Sequence, residues 1–273
     1  MGLLSEYYTM SDGKTIPKLG FGTWQTPNGV APTAVVQALG LGYTHIDTAR
    51  AYENEQGVGQ GIKASGVARA EIFLTTKVKA EYKTYDQAKA SIETSLKELD
   101  ADYIDLLLIH APRPWPEMSS DKGERYFDAN IAVWKALEEA QQRGEVRSIG
   151  VSNFQIDDLE NLLAHCEIRP VANQIRFHVG YTQDALVAYC HDHDILIEAY
   201  SPIGTGRLLD HPTIAAVAAR VGKSVAQVCI RYTLDKGCVS LPKSVHEEYI
   251  QQNAELDFEL SADDMAELDA VQA

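Results

Sequence analysis

Eight times between Leu19 and Asn253 a short apolar, β-branched run gives way to a stretch with helical spacing. This alternation restricts the fold more than any other feature, because parallel strands can only be joined by a crossover and a helix supplies one each time. The strands are read at residues 19–24, 43–47, 72–77, 104–109, 148–152, 171–176, 195–200 and 238–241. The helices are read at 30–41, 55–65, 86–99, about 128–143, 156–165, 183–193, the pair 211–221 and 225–236, and a last one near 246–253. In the third helix Ala88, Ile92, Leu96 and Leu99 recur at helical spacing. Eight such units favour a closed (β/α)8 TIM barrel over an open doubly wound sheet, and 273 residues is near the ~250 typical of that fold. Ahead of them, two alternating runs at 7–10 and 14–16 flank Ser11-Asp12-Gly13, which marks an N-terminal β-hairpin. No linker rich in Pro, Gly or Ser divides the chain, so 1–273 reads as a single domain.

Strand ends in such a barrel are where chemistry is placed, since the loops converge there on a rigid base. Asp47 ends the second strand and Tyr52 follows just beyond it, Lys77 ends the third, and His110 follows the fourth. Each has a plain structural reading. Asp47 could cap the next helix, Tyr52 could pack on a loop, Lys77 could be no more than the ion-pair partner of Asp47, and His110 a satisfied core histidine. Together on one face they suit proton donation to a carbonyl oxygen. A free tyrosine titrates near pH ~10, and a neighbouring Lys77 ammonium favours the phenolate and is expected to bring that value down. Asp47 would hold the ammonium, and His110 would donate a hydrogen bond to the oxygen as negative charge develops on it.

The net charge of −15 argues against a nucleic-acid or anionic membrane partner. No apolar run approaches ~18 residues, and Glu6 and Asp12 sit where a signal peptide would be basic or apolar, so a cytoplasmic protein is expected. Cys166, Cys190, Cys229 and Cys238 lack metal-ligand spacing and read as buried thiols, and no metal is expected. The stretch 111–125 after the fourth strand, with Pro112, Pro114, Trp115 and Pro116, reads as a binding loop.

Nearly end to end, the sequence resembles the aldo-keto reductase family. The matching segments are Gly42-Tyr43-Thr44-His45-Ile46-Asp47-Thr48-Ala49 with Tyr52 and Glu55, Thr76-Lys77, Ile104-Asp105-Leu106 with Ile109-His110, Ile149-Gly150-Val151-Ser152-Asn153-Phe154, Asn173-Gln174, Tyr200-Ser201-Pro202, and Leu241-Pro242-Lys243-Ser244 with Asn253. The resemblance implies an eight-stranded barrel with no Rossmann domain, an NADPH cofactor and a small-molecule carbonyl substrate. It makes Tyr52 the general acid, with Asp47 and Lys77 behind it and His110 orienting substrate. It also implies that Ser152, Asn153 and Gln174 bind the carboxamide and that Tyr200 stacks on the nicotinamide. The loop with Ser201, Pro202, Ile203 and Thr205 would fold over the pyrophosphate, and Lys243 and Ser244 would hold the 2′-phosphate. Thr23, Val245, Tyr249, Gln252 and Asn253 complete the implied cofactor contacts, and Trp24 and Trp115 join Tyr52 and His110 around substrate.

Two positions depart from the family pattern. Tyr249 stands where an arginine is common, behind Glu247 and Glu248, so NADPH use with measurable NADH use is expected. Ala111 stands where many relatives carry Trp, and Ala273 follows soon after the last helix, so an open pocket is expected, similar to bacterial 2,5-diketo-gluconate reductases and prostaglandin F synthase-like members. A monomer is expected, because no extended apolar edge is evident. The competing readings are a cofactor-binding barrel that regulates a partner and a metal-assisted barrel enzyme of another class.

Overall fold

The computed structural model describes residues 2–118 and 123–272. The chain opens with an antiparallel hairpin, β1 (Tyr7–Thr9) and β2 (Thr15–Pro17), in the register Tyr8↔Ile16, and Gly13 turns it at φ +81°. Eight parallel strands follow, each paired with the next in chain order: β3 (Phe21–Gly22), β4 (His45–Asp47), β5 (Phe73–Val78), β6 (Ile104–Ile109), β7 (Val146–Ser152), β8 (Ala172–Arg176), β9 (Leu196–Tyr200) and β10 (Val239–Leu241). A short seam brings the last strand back to the first. Leu19 bridges Ser240, and the N–H groups of Gly20 and Gly22 donate to the carbonyls of Ser240 and Pro242 at 2.9 Å each. Glycine is required there: a Cβ on Gly20 would sit 2.6 Å from Leu241 Cδ2 and 2.7 Å from His45 Nδ1. The same glycines leave few side chains to hold a longer pairing, so the strand expected over 19–24 is only two residues long.

The helices stand where the spacing puts them: α1 (Ala31–Gly40), α2 (Glu55–Ser65), α3 (Tyr85–Glu98), α4 (Phe127–Gln142), α5 (Ile156–His165), α6 (Asp184–Asp192), α7 (Pro212–Val221), α8 (Val225–Asp235) and α9 (Glu247–Gln252). A further helix, α10 (Ala262–Asp269), was not expected. Its capping box is plain, with Ser261 Oγ accepting from Asp264 N and Asp264 Oδ2 accepting from Ser261 N, both at 3.1 Å. Only two turns long and half acidic, it offers little periodicity to read.

Three apolar layers hold these elements. Within the barrel, Met10 and Ile16 of the hairpin pack on Leu106, Leu108, Val171, Val239 and Leu241, which closes the end of the barrel away from the strands' C-termini. Outside it, Trp134, Leu137, Ile149 and Phe177 fill the space under one set of helices, and Phe21, Tyr43, Ile46 and Val58 the space under another. Every residue of β6 is buried, as a strand covered on both faces demands. With that end apolar, the polar chemistry is confined to the other.

All four cysteines are free, three buried and Cys166 only partly so. No single helix among the described residues is long and apolar enough to cross a membrane. The loop read over 111–125 includes residues 119–122, which lie outside the described residues. Its first part is pinned by Lys83, whose Nζ donates to Ala111 O, Pro112 O and Asn130 Oδ1 at 3.0 Å each.

Candidate active site

The C-terminal ends of the strands open into a cleft of about 980 Å³. Lys77, one residue before the end of β5, places its Nζ 2.8 Å from each oxygen of Asp47 at the end of β4, and 2.8 Å from Thr48 O. Both side chains are almost fully buried, and an ammonium there must be paired and hydrogen-bonded. Tyr52 ends a single 3₁₀ turn, Arg50–Tyr52, and Glu53 after it takes the left-handed conformation (φ +56°). The Tyr52 hydroxyl lies 3.5 Å from Lys77 Nζ. His110, directly after β6, meets the Tyr52 ring edge-on with centroids 5.5 Å apart. The four residues singled out at separate strand ends thus meet in one place.

Buried polar side chains fix the loop that carries Tyr52. Asn54 accepts from Thr48 Oγ1 at 2.9 Å and donates to Thr23 O and Thr26 O at 2.9 Å each. Glu55 accepts from Thr76 Oγ1 at 2.6 Å and from Arg50 Nη1 at 3.1 Å. The loop is therefore fastened to β5 on one side and to the segment bearing Trp24 on the other.

Burial is the strongest influence on the Tyr52 phenol and raises its pKa; Lys77 pulls it down, Asp47 pushes it up again, and the balance is upward. Lys77 does act downward as expected, but the expected net fall of the Tyr52 pKa is corrected to a rise, because burial outweighs it. The ammonium is spent on Asp47 at 2.8 Å and reaches Tyr52 only at 3.5 Å. Tyr52 accordingly holds its proton at neutral pH, as a donor must. Burial works against the charge of Lys77, but the Asp47 carboxylate overrides it and the Lys77 pKa is raised. Burial, and then Lys77, depress His110 well below the usual imidazole range, so it is neutral and offers one N–H.

The other implied contacts divide into two groups. Ser152, Asn153, Gln174, Tyr200, Ser201, Pro202, Ile203, Thr205 and Lys243 line the cleft with Asp47, Tyr52 and His110. Gln174 Nε2 donates to Asp47 Oδ2 at 2.9 Å and Glu198 Oε2 at 3.3 Å, which leaves its carbonyl oxygen for a ligand. Asn153 donates to His110 O at 3.1 Å and Ser152 Oγ at 3.0 Å and accepts from the Tyr200 hydroxyl at 2.8 Å, so it fixes the Tyr200 ring. Ser152 and Asn153 do not cap α5; Gln155 does, its N–H donating to Asp158 Oδ2 at 3.1 Å. Gln25, Asn153, Ser201 and Thr205, all lining the cleft, have φ between +53° and +61°. Such strain in non-glycine residues gathers at sites that must present groups in fixed directions.

The second group lies off the cleft wall. Thr23 is buried, its hydroxyl donating to Asp47 O at 3.0 Å, so it supports β4 rather than lining the pocket. Ser244 closes a turn by accepting from His246 N at 3.1 Å. Val245 follows it, and Tyr249, Gln252 and Asn253 belong to α9 and its end, with Tyr249 53% exposed and Gln252 donating to Glu248 at 3.1 Å. At the entrance Trp24 and Trp115 line the cleft with 46% and 40% of their surface exposed, and Trp115 meets His110 edge-on at 5.1 Å. Ala111 is fully buried and is not among the residues lining the cleft.

Arg176 and Arg207 also line the cleft, and sequence reading did not single them out. Arg50, Arg69, Arg125, Arg143, Arg147, Arg220 and Arg231 are all ion-paired with carboxylates. Arg176 instead donates to His178 Nε2 at 3.3 Å and lies over the Tyr181 ring, and Arg207 donates to Gly204 O at 3.1 Å. The signal for Arg176 was available, because it stands two residues after Gln174 and therefore faces the same way. With Lys243, these make a cationic wall in a chain of net charge −15, a donor set that fits the phosphates of a dinucleotide.

Comparison with known proteins agrees with this geometry. The model of the Aldo/keto reductase family matches residues 18–273. A glyoxal reductase of Bacillus subtilis is 44% identical over 270 residues, 98% of this chain and 93% of its own. The crystal structure of an aldo/keto reductase from Brucella melitensis matches with a TM-score of 0.89 at 41% identity, over 97% of this chain and 98% of the other. That of a Bombyx mori aldo-keto reductase in complex with NADP matches at 0.86 and 37% identity, over 97% and 92%.

Proposed function

The chain belongs to the aldo/keto reductase family, and from that premise we propose that it reduces small aldehydes and ketones, glyoxal-like dicarbonyls among them, with NADPH as the hydride source and Tyr52 as the proton donor. The observation that carries this reading is the buried Asp47–Lys77 pair beside a protonated Tyr52 and a neutral His110. When bound, the dihydronicotinamide supplies the hydride. Tyr52 then gives its proton to the substrate oxygen, and the phenolate left behind faces the Lys77 ammonium, which Asp47 holds in place. His110 donates its one N–H to the same oxygen, and Trp24 and Trp115 shield the substrate from water at the entrance. A positioned general acid of this kind contributes roughly 10²–10⁴-fold in rate.

The residues present fit the cofactor. The free carbonyl of Gln174 suits a carboxamide N–H, Tyr200 presents its ring, Arg176 and Arg207 suit the pyrophosphate, and Lys243 suits the 2′-phosphate. Lys243 has no arginine beside it on α9, where Glu247 and Glu248 precede Tyr249. NADH should therefore serve as well, with NADPH preferred by less than roughly a thousandfold, about 4 kcal/mol. We read the chain as a monomer of one domain.

A regulatory barrel that holds cofactor without turning over is the second reading, and the complete tetrad speaks against it. The test is a titration with NADPH followed by tryptophan fluorescence, then loss of NADPH absorbance with glyoxal and a panel of other aldehydes and ketones. Saturable binding with turnover is expected. Binding without turnover of any carbonyl would favour the regulatory barrel, and no binding at all would end both readings.

A further inference from the structure

Beneath the tetrad the barrel holds a second polar layer that no step above uses. Glu198 lies on β9 two residues before Tyr200 and is completely buried. Its Oε2 accepts from Gln174 Nε2 at 3.3 Å, while Oε1 has no hydrogen-bond partner and stands 3.9 Å from His45 Nε2. His45, equally buried, bonds through Nε2 to Thr75 Oγ1 at 3.0 Å. The titratable and charged groups around Glu198 are Asp47 and His45 from β4 and Lys77 from β5, and Gln174 reaches it from β8.

We propose that Glu198 is a positioning residue of the reductase site: it fixes the Gln174 amide with its carbonyl toward the bound cofactor and leaves Lys77 undivided between Asp47 and Tyr52. This rests on the reductase reading above. The first half follows from the amide's geometry. Gln174 directs its N–H groups at Asp47 and Glu198, and a reversed amide would set its oxygen against the Asp47 carboxylate and withdraw the donor from Glu198 Oε2. The second half follows from counting charges. The enclosure holds one ammonium and one committed carboxylate, and His45 brings no second cation, since burial pushes its pKa down to about 3. An ionised Glu198 would compete with Asp47 for Lys77. Burial, and after it the Asp47 charge, push the Glu198 pKa up to about 8, so at neutral pH it is a neutral carboxyl that still accepts from Gln174.

Two variants test this without turnover. Glu198→Gln keeps an acceptor and no charge, and Glu198→Leu keeps neither. At pH 7 the NADPH dissociation constant of E198Q should stay within about twofold of wild type, and that of E198L should rise about 3- to 10-fold, as for a lost hydrogen bond. Thermal melts add a readout that binding does not share. Between the ordinary carboxylate pKa and about 8 the folded wild type keeps a proton that the unfolded chain has released, so wild type loses stability as pH rises and E198Q does not. The gain in melting temperature of E198Q over wild type should grow from pH 5 to pH 8 and level off above it. A gain independent of pH, or an E198L variant that binds NADPH as wild type does, overturns the proposal; should E198L not fold, the melting series of E198Q decides alone. Wild type that binds NADPH but reduces nothing would sink the reductase reading and leave both of these readouts intact.

Discussion

At the tetrad end of the cleft, Asp47, Lys77 and Gln174 are hydrogen-bonded to one another and Asn153 to His110, Ser152 and Tyr200, while farther along the same wall Arg176, Arg207 and Lys243 stand without carboxylate partners among the described residues. The first region has settled its electrostatics before any ligand arrives, and such preorganisation is what a rate enhancement needs. The second leaves its electrostatics to be settled by the ligand. Substitution of the proton donor Tyr52 should therefore change rate at constant cofactor affinity, and substitution in the cationic wall affinity at constant rate.

The largest effect expected is that of Tyr52→Phe, which removes the donated proton and keeps the ring against His110. Turnover of glyoxal should fall at least ~100-fold, in the range for a lost general acid, with the NADPH dissociation constant nearly unchanged. Steady-state kinetics beside a fluorescence titration check both. A parallel loss of cofactor affinity would break the division between the two regions.

Next in size is Arg176→Ala. A hydrogen bond between charged groups contributes about 1.5–3 kcal/mol, so affinity for NADPH should weaken by roughly 10-fold or more. NADH should weaken by the same factor, because the pyrophosphate is common to both, and turnover at saturation should change by less than about twofold. If NADPH alone were affected, Arg176 would belong to the 2′-phosphate; if only the KM for a carboxylated substrate rose, it would belong to the substrate.

How far each region could be read in the sequence follows the same line. The tetrad was legible because strand patterning places Asp47, Lys77 and His110 at or next to strand ends, most plainly His110 after the apolar run of β6. The barrel was legible for the same reason. The direction of the Tyr52 pKa was not, since it depends first on how deeply the phenol is buried and then on how closely Lys77 approaches it. Nor was the pairing state of Arg176, because sequence shows a cation and not whether a carboxylate lies within reach. The turn at Asn153 (φ +61°), which leaves the cap of α5 to Gln155, was not legible either. Periodicity shows faces, while tertiary partners decide what a polar side chain does on them.

The smallest effect expected is the one that sharpens the comparison most. Tyr249 is 53% exposed on α9, with Glu247 and Glu248 before it, and contributes no charge toward a 2′-phosphate held at Lys243. Tyr249→Arg adds a guanidinium, but in water its attraction is screened, and an exposed pair contributes at most about 1 kcal/mol. The preference for NADPH over NADH should therefore rise only about 3- to 5-fold, through a lower NADPH dissociation constant, with the NADH value and the turnover rate unchanged. Because the added interaction is exposed, the gain should shrink as ionic strength is raised from 0.05 to 0.5 M, which corresponds to a screening length falling from above to below ~10 Å. Lys243, half-buried and with its pKa lowered by that burial, should keep its own effect over the same range. A gain that ignored salt would mean that the new guanidinium had become buried, and the open end of the cleft would then be as closely built as the tetrad.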